Sequence, residues 1–255
     1  MVNEGVLIYS LISVILVSLI SFIGLVTLSI NIKRLKKILL LLVSFSAGAL
    51  LGDAFIHLLP EIIEEYGFTL NVSLYTIVGL LIFFVIEKFI YWRHCHVPTS
   101  KEHPHPFAIV NLIGDGLHNF IDGLVIGASY LISIPVGIAT TLAVILHEIP
   151  QEIGDFGVLV HGGFSINKAL FYNFLSAIIA ILGTIFSLYF SSFFENYNLF
   201  LIPLTAGGFI YIAASDLIPE LHKEVKISKS VMQLLGLICG VIIMISLLFL
   251  ESITN

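Results

Sequence analysis

Ile145-Leu146-His147-Glu148-Ile149-Pro150-Gln151-Glu152-Ile153-Gly154-Asp155 lies inside an apolar run over 134–160 and decides how the chain is read. The flanks are greasy enough for a membrane span, yet imidazole, carboxylate and amide groups interrupt it. A second such stretch, His118-Asn119-Phe120-Ile121-Asp122, sits in the preceding apolar run over 107–130. Ionisable groups in the hydrocarbon layer cost several kcal/mol each unless something compensates them. A divalent metal ion compensates all of them together.

The whole chain supports a membrane setting. Hydrophobic residues make up 58% of 255 residues and charged residues 11%, with a mean hydropathy of +1.08. Soluble domains carry roughly a quarter charged residues. Apolar runs predict eight transmembrane helices over 6–31, 38–60, 70–92, 107–130, 134–160, 167–192, 198–220 and 229–250. The expected fold is therefore an all-α membrane protein, a single transporter-like domain over 1–255. No basic segment precedes the first run, which reads as a retained helix rather than a cleaved signal. The two cysteines, Cys95 and Cys239, imply no disulfide framework.

Basic residues set the expected orientation. Lys33, Arg34, Lys36, Lys37, Lys88, Arg93, Lys101, Lys168, Lys223, Lys226 and Lys229 all fall on one side of the eight-span arrangement. The positive-inside rule makes that side cytoplasmic and both termini extracytoplasmic. An internal echo, Leu58-Leu59-Pro60-Glu61 and Leu217-Ile218-Pro219-Glu220, joins spans of opposite direction. It suggests an inverted repeat around central helices four and five, a construction used by transporters.

Helical spacing sorts the polar residues. Asp115, His118, Asn119 and Asp122 share one face of span four. Glu148, Glu152 and Asp155 form a stripe on span five, with His147 and Gln151 one position round. Both histidines lie roughly 16–20 Å along their helices, near the middle of a hydrocarbon layer about 30 Å thick. Polar residues can simply bind helices together, and Gly114, Gly116, Gly123, Gly127, Gly154 and Gly157 are expected to pack spans four and five closely. Five carboxylates without a Lys or Arg in those two spans favour a cation pathway instead. Imidazole, carboxylate and amide donors suit Zn²⁺, Cd²⁺, Fe²⁺, Mn²⁺ or Co²⁺. Pro150 deprives the carbonyl near Leu146 of its helical partner; that carbonyl either lines the pathway or merely marks a packing kink. His94, His96, His103 and His105, in the segment over about 93–106, read either as a solvated linker or as a cytoplasmic metal-capture loop.

These motifs resemble the ZIP family of divalent metal transporters, and most closely its subgroup with a His-Glu-x-Pro-His-Glu-x-Gly-Asp box on the fifth helix. The box here is 147–155, and His118-Asn119-Phe120-Ile121-Asp122-Gly123 is similar to its fourth-helix partner. The stretches over 52–60, 173–176 and 216–220 also resemble the family. The resemblance implies one metal position at His118, Asp122, His147 and Gln151. A neighbouring position would use Asn119, Glu148 and Asn173, with Asp122 able to bridge. Asp53 and Asp216 would lie along the route, with Asp115, Glu152 and Asp155 on the pathway or supporting the ligands. It also implies elevator-like access, with helices one, four, five and six moving against the rest. Gln151 departs from the usual His or Glu, which should weaken the site or alter its metal preference; Glu152 is available to compensate.

The expected function is Zn²⁺ uptake into the cytoplasm across the plasma (inner) membrane. No catalytic cofactor, nucleotide or nucleic acid is expected, and a homodimer is left open. The alternatives are an intramembrane zinc hydrolase, since His147-Glu148 resembles the start of a zincin box, and a metal sensor. Gln151 at the fifth position and Pro150 within the box weigh against the hydrolase.

Overall fold

The computed structural model describes residues 3–28, 32–92, 106–193 and 196–254. The four histidines of the 93–106 segment lie outside the described residues. The chain runs as α1 (Glu4–Thr27, tightened to a 3₁₀ turn at Ile20–Ile23) and α2 (Ile32–Gly52, a π turn at Asp53–Leu58, then Leu59–Tyr66). There follow α3 (Leu70–Trp92), α4 (Pro106–Ile132), α5 (Ile134–His161) and α6 (Ile166–Phe190). Last come α7 (Tyr197–His222, with a π turn at Ile212–Leu217) and α8 (Ile227–Thr254). No strand occurs among the described residues.

Seven of these helices are long and apolar enough to cross a membrane; α4 is the one left out. Its 27 residues give about 40 Å of helix, so length is not what it lacks. Asp115, His118, Asn119 and Asp122 dilute its hydropathy. The outer surface is apolar, with Leu16, Leu81, Ile113, Leu182 and Leu234 exposed, whereas the serines of α1 turn inward. Ser18 donates to the Ala177 carbonyl at 2.9 Å, and Ser13 meets the Tyr130 hydroxyl at 2.7 Å. Helices in lipid associate through such polar ties and through small residues, because their apolar faces are equally content in hydrocarbon.

The sequence places the end of the second span at Pro60, but the helix continues to Tyr66. Proline has no N–H and its ring collides with the carbonyl four residues back. Widening the preceding turn to π geometry absorbs that clash without ending the helix. The same solution recurs in α7. Each π turn ends two residues before a proline, at Leu58 before Pro60 and at Leu217 before Pro219. The short echo in the sequence thus has a matching backbone feature in both helices.

Pro150 is handled differently. It stands inside α5, and the Leu146 carbonyl it strands accepts a hydrogen bond from Ser46 of α2. Of the two roles open to that carbonyl, the structure uses it as a tie between helices.

Close backbone contact is concentrated in three helix pairs: α2 with α8, α3 with α7, and α4 with α6. A Cβ on Gly48 would meet the Leu237 carbonyl at 2.0 Å, and one on Gly240 the Phe45 carbonyl at 2.2 Å. Gly79 and Gly207 interlock α3 and α7 in the same reciprocal way, as do Gly123 and Gly183 for α4 and α6. This corrects the expectation that the glycines pack α4 on α5. Gly116, Gly123 and Gly127 face α6, and nothing lies within 4 Å of a Cβ on Gly154 or Gly157. Side chains therefore fill the α4–α5 contact, and those side chains carry the chemistry.

Candidate metal centre

Helix α5 packs against α1, α2 and α4 at the middle of the bundle. Across its contact with α4, His118 and Asp122 from one helix meet His147 and Glu148 from the other. His147, Asp122 and Glu148 are buried, and His118 is 15% exposed. The two imidazole Nε2 atoms stand 3.2 Å apart. His147 Nε2 lies 3.0 Å from Asp122 Oδ2 and 3.4 Å from Glu148 Oε1. His118 Nε2 lies 3.7 Å and 3.5 Å from the same two oxygens. The ligand atoms of all four residues fall within 4.8 Å of one another.

Those separations suit a particular geometry. Four donors placed tetrahedrally at Zn–N and Zn–O distances of about 2.0–2.1 Å stand about 3.3 Å from each other. The observed spacings straddle that value. The carboxylate oxygens of Asp122 and Glu148 are buried and lack hydrogen-bond partners, although histidine nitrogens are close by. Their lone pairs converge on a shared point rather than pairing off with N–H donors. Two imidazoles and two bare carboxylates, shielded from water, make a donor set that a cation between them would satisfy.

Surrounding groups orient the donors. His147 Nδ1–H donates to the Ala143 carbonyl at 3.2 Å, which leaves Nε2 free to bind. Phe83 of α3 packs edge-on against His118, and Phe209 of α7 against His147. On the flank toward Ser133 the core is closed by Ile126, Tyr130, Val136 and Ala139. On the opposite flank, toward Pro106, two cavities reach the centre. One of about 170 Å³ touches His118; one of about 240 Å³ touches His147. Gln151 lines both. A larger groove of about 950 Å³ at the ends of α2, α7 and α8 contains Glu220, Lys223, Glu224 and Lys229 and none of the four donors.

The remaining sequence-expected residues are distributed as follows. Asn119 donates to Asp115 Oδ1 at 2.9 Å, leaving its own Oδ1 buried and unpartnered. Asn173 donates to Glu152 and to the Ser21 carbonyl, and its Oδ1 is likewise unpartnered. Asp115 accepts from Ser176, and Asp155 from Asn111 at 2.7 Å. Asp53 is fully buried in the π turn of α2, both oxygens without a partner. Asp216 belongs to the equivalent turn of α7. Sequence reasoning passed over Ser46, Glu87, Asn111 and Tyr211. Glu87 has a visible signal, as the one acid in span three.

Fold and site together define a class: a polytopic helical membrane protein with a buried, mixed imidazole and carboxylate centre. The family model described as ZIP Zinc transporter matches residues 4–107 and 98–248, and the chain belongs to that family. It is 33% identical to zinc transporter zipt-7.1 of Caenorhabditis briggsae, over 79% of this chain and 69% of that protein. It is 30% identical to mouse zinc transporter SLC39A7, over 87% of this chain and 65% of the relative. With zinc transporter ZIP13 of Pongo abelii the identity is 34%, covering 80% and 65%. The chain thus spans about two-thirds of the length of these relatives.

Proposed function

We propose that this protein carries a divalent transition-metal ion, Zn²⁺ foremost, through the membrane to the cytoplasm by way of the α4–α5 centre. The observation that carries the proposal is the spacing of His118, Asp122, His147 and Glu148, which suits a tetrahedral ion. Cd²⁺, Fe²⁺, Mn²⁺ and Co²⁺ share enough of that ligand chemistry to compete. Asn119, Gln151 and Asn173 are assigned to the edge of the centre: Asn119 adjoins His118 in α4, Asn173 donates to Glu152 of α5, and the amide oxygens of both asparagines are buried and unpartnered. Asp53 and Asp216 are assigned to the route through α2 and α7.

The proposed arrangement is one domain over 1–255 with eight spans in the plasma (inner) membrane, both termini outside. The segregation of all Lys and Arg supports it. In that orientation the closed flank faces outward and the cavities face the cytoplasm. The reciprocal glycine contacts support elevator-like movement. They fasten α2 to α8, α3 to α7 and α4 to α6, whereas α5 meets α2 through side chains. A body of α1, α4, α5 and α6 can then slide against the rest. Inside-negative potential favours inward movement by about 4.6 kcal/mol for a divalent ion at 100 mV.

An intramembrane hydrolase is the poorer account. Glu148 would have to stand apart as a base, yet its Oε1 is 3.4 Å from His147 Nε2, within the donor set. Uptake of radiozinc into proteoliposomes is the direct test. Wild type should accumulate the ion, and His147→Ala with Glu148→Ala should abolish uptake while the protein still folds. Unchanged flux in that variant would rule out the centre.

A further inference from the structure

The cavity beside His118 has chemistry of its own. Its walls come from different helices: Glu87 of α3 and Tyr211 of α7 on one side, Asn111 and Asp115 of α4 with Gln151 and Asp155 of α5 on the other. No Lys or Arg lines it. Three carboxylates therefore face a small, partly open volume without a fixed countercharge.

Each is already oriented, Asp115 by Ser176 and Asn119. The Tyr211 hydroxyl donates to Glu87, and Asn111 donates to Asp155 Oδ1 at 2.7 Å. Asp155 Oδ2 is left buried with no partner. A buried, unpartnered carboxylate oxygen is destabilising unless a cation or water meets it.

We propose that this cavity is a second cation site, which holds a divalent ion still wrapped in most of its water. It rests on the transport reading only for its place after the midplane centre. The size and spacing of the cavity specify the hydrated state. At about 30 Å³ per water, its 170 Å³ has room for about five or six waters. Among the described residues, the midplane set is the group of His, Cys, Asp and Glu whose ligand atoms converge within 4.8 Å. Glu87, Asp115 and Asp155 do not converge in that way, so a bare ion cannot touch all three. An ion with a water shell bridges the gap through outer-sphere hydrogen bonds, as Mg²⁺ and similar hard cations are often held.

The two sites then divide the work. The midplane centre replaces the water shell with nitrogen and oxygen donors. The inner cavity restores the shell one helical turn away, while its carboxylates keep the ion from returning to bulk at once. An ion held through its own water shell and carboxylate oxygens is discriminated only weakly by softness, so selection among metals belongs to the four-donor centre.

Mn²⁺ binding to the intact chain in nanodiscs, followed by electron paramagnetic resonance, tests the inner site without requiring flux. The parent for this experiment carries His118→Ala and His147→Ala, with the four loop histidines changed to Ser. It should bind Mn²⁺ whose resonance shows most water ligands retained. Adding Glu87→Gln and Asp155→Asn should weaken that binding at least ten-fold. Glu87→Gln alone, which leaves the α4–α5 wall untouched, should weaken it several-fold. Failure of the parent to bind Mn²⁺, a bound ion stripped of water, or affinity unchanged in both variants would overturn the site. Absence of zinc flux in the wild type would instead overturn the transport function and leave these binding results standing.

Discussion

The polar faces of α4 and α5 use the same residue types in two different ways. Where α4 crosses α5, His118, Asp122, His147 and Glu148 bring four ligand atoms to within 4.8 Å of one another. One turn further along, Asp115, Glu152 and Asp155 disperse, each held by its own neighbour: Ser176, Asn173 and Asn111. Helical periodicity treats the two groups alike. What separates them is the partner each side chain finds across the helix contact. The convergent set offers an ion four direct ligands, and the dispersed set does not.

The comparison breaks most visibly at Asp122. Replacing it by Asn should lower affinity of the centre for Co²⁺ by a hundred-fold or more, read from the visible absorption of tetrahedral Co²⁺. Asp115→Asn, which keeps one acceptor oxygen and lets the Ser176 hydroxyl accept from the new amide N–H, should change that affinity only a few-fold. Equal losses in the two variants would mean that the centre is not the four-donor set.

A second contrast concerns the helix contacts themselves. Gly123→Ala drives a methyl group to 1.8 Å from the Ala180 carbonyl and should cost about 1–3 kcal/mol. Gly154→Ala meets nothing within 4 Å and should leave the melting temperature in detergent unchanged or slightly raised, since Ala suits a helix better. Equal melting of the two variants would undo the assignment of α4 to α6.

Gln151 lies at the junction of both inner cavities, next to the convergent set. Gln151→His should strengthen Zn²⁺ binding by roughly ten-fold relative to Mn²⁺, because imidazole is the softer ligand. Competition profiles across Zn²⁺, Cd²⁺, Mn²⁺ and Fe²⁺ would show it, and identical profiles would remove Gln151 from the set of selecting residues. The smallest effect is expected at Ser46→Ala. It unties the Leu146 carbonyl and should cost about 1 kcal/mol in stability with little change in metal affinity.

Acidification should weaken metal binding at the centre, since imidazole and carboxylate bind a metal only in their deprotonated forms. A pH titration of Co²⁺ absorption would display the loss as pH falls.

Much of this molecule is legible in its residues. Apolar runs locate the helices, because backbone groups in hydrocarbon must pair within their own segment. The i, i+3, i+4, i+7 spacing of Asp115, His118, Asn119 and Asp122 places them on one face, because helix geometry is local. Other features were hidden from it. Pro60 looked like an end and became a π turn, since the widened turn can absorb the proline clash. Gly123 looked like an α4–α5 contact and proved to be an α4–α6 contact, since a glycine in sequence does not name its partner. Glu87 entered the site from α3, a helix whose polar residues carry no periodic pattern.

The sequence alone therefore determined that this chain is helical, membrane-borne and rich in metal-binding groups at two places along neighbouring spans. Only the tertiary structure decided which of those groups share a point in space. Spacing along one helix is set by 3.6 residues per turn, but distance across two helices depends on how closely they pack and at what rotation. The convergence of the four donors and the cavity beside them are both consequences of that packing.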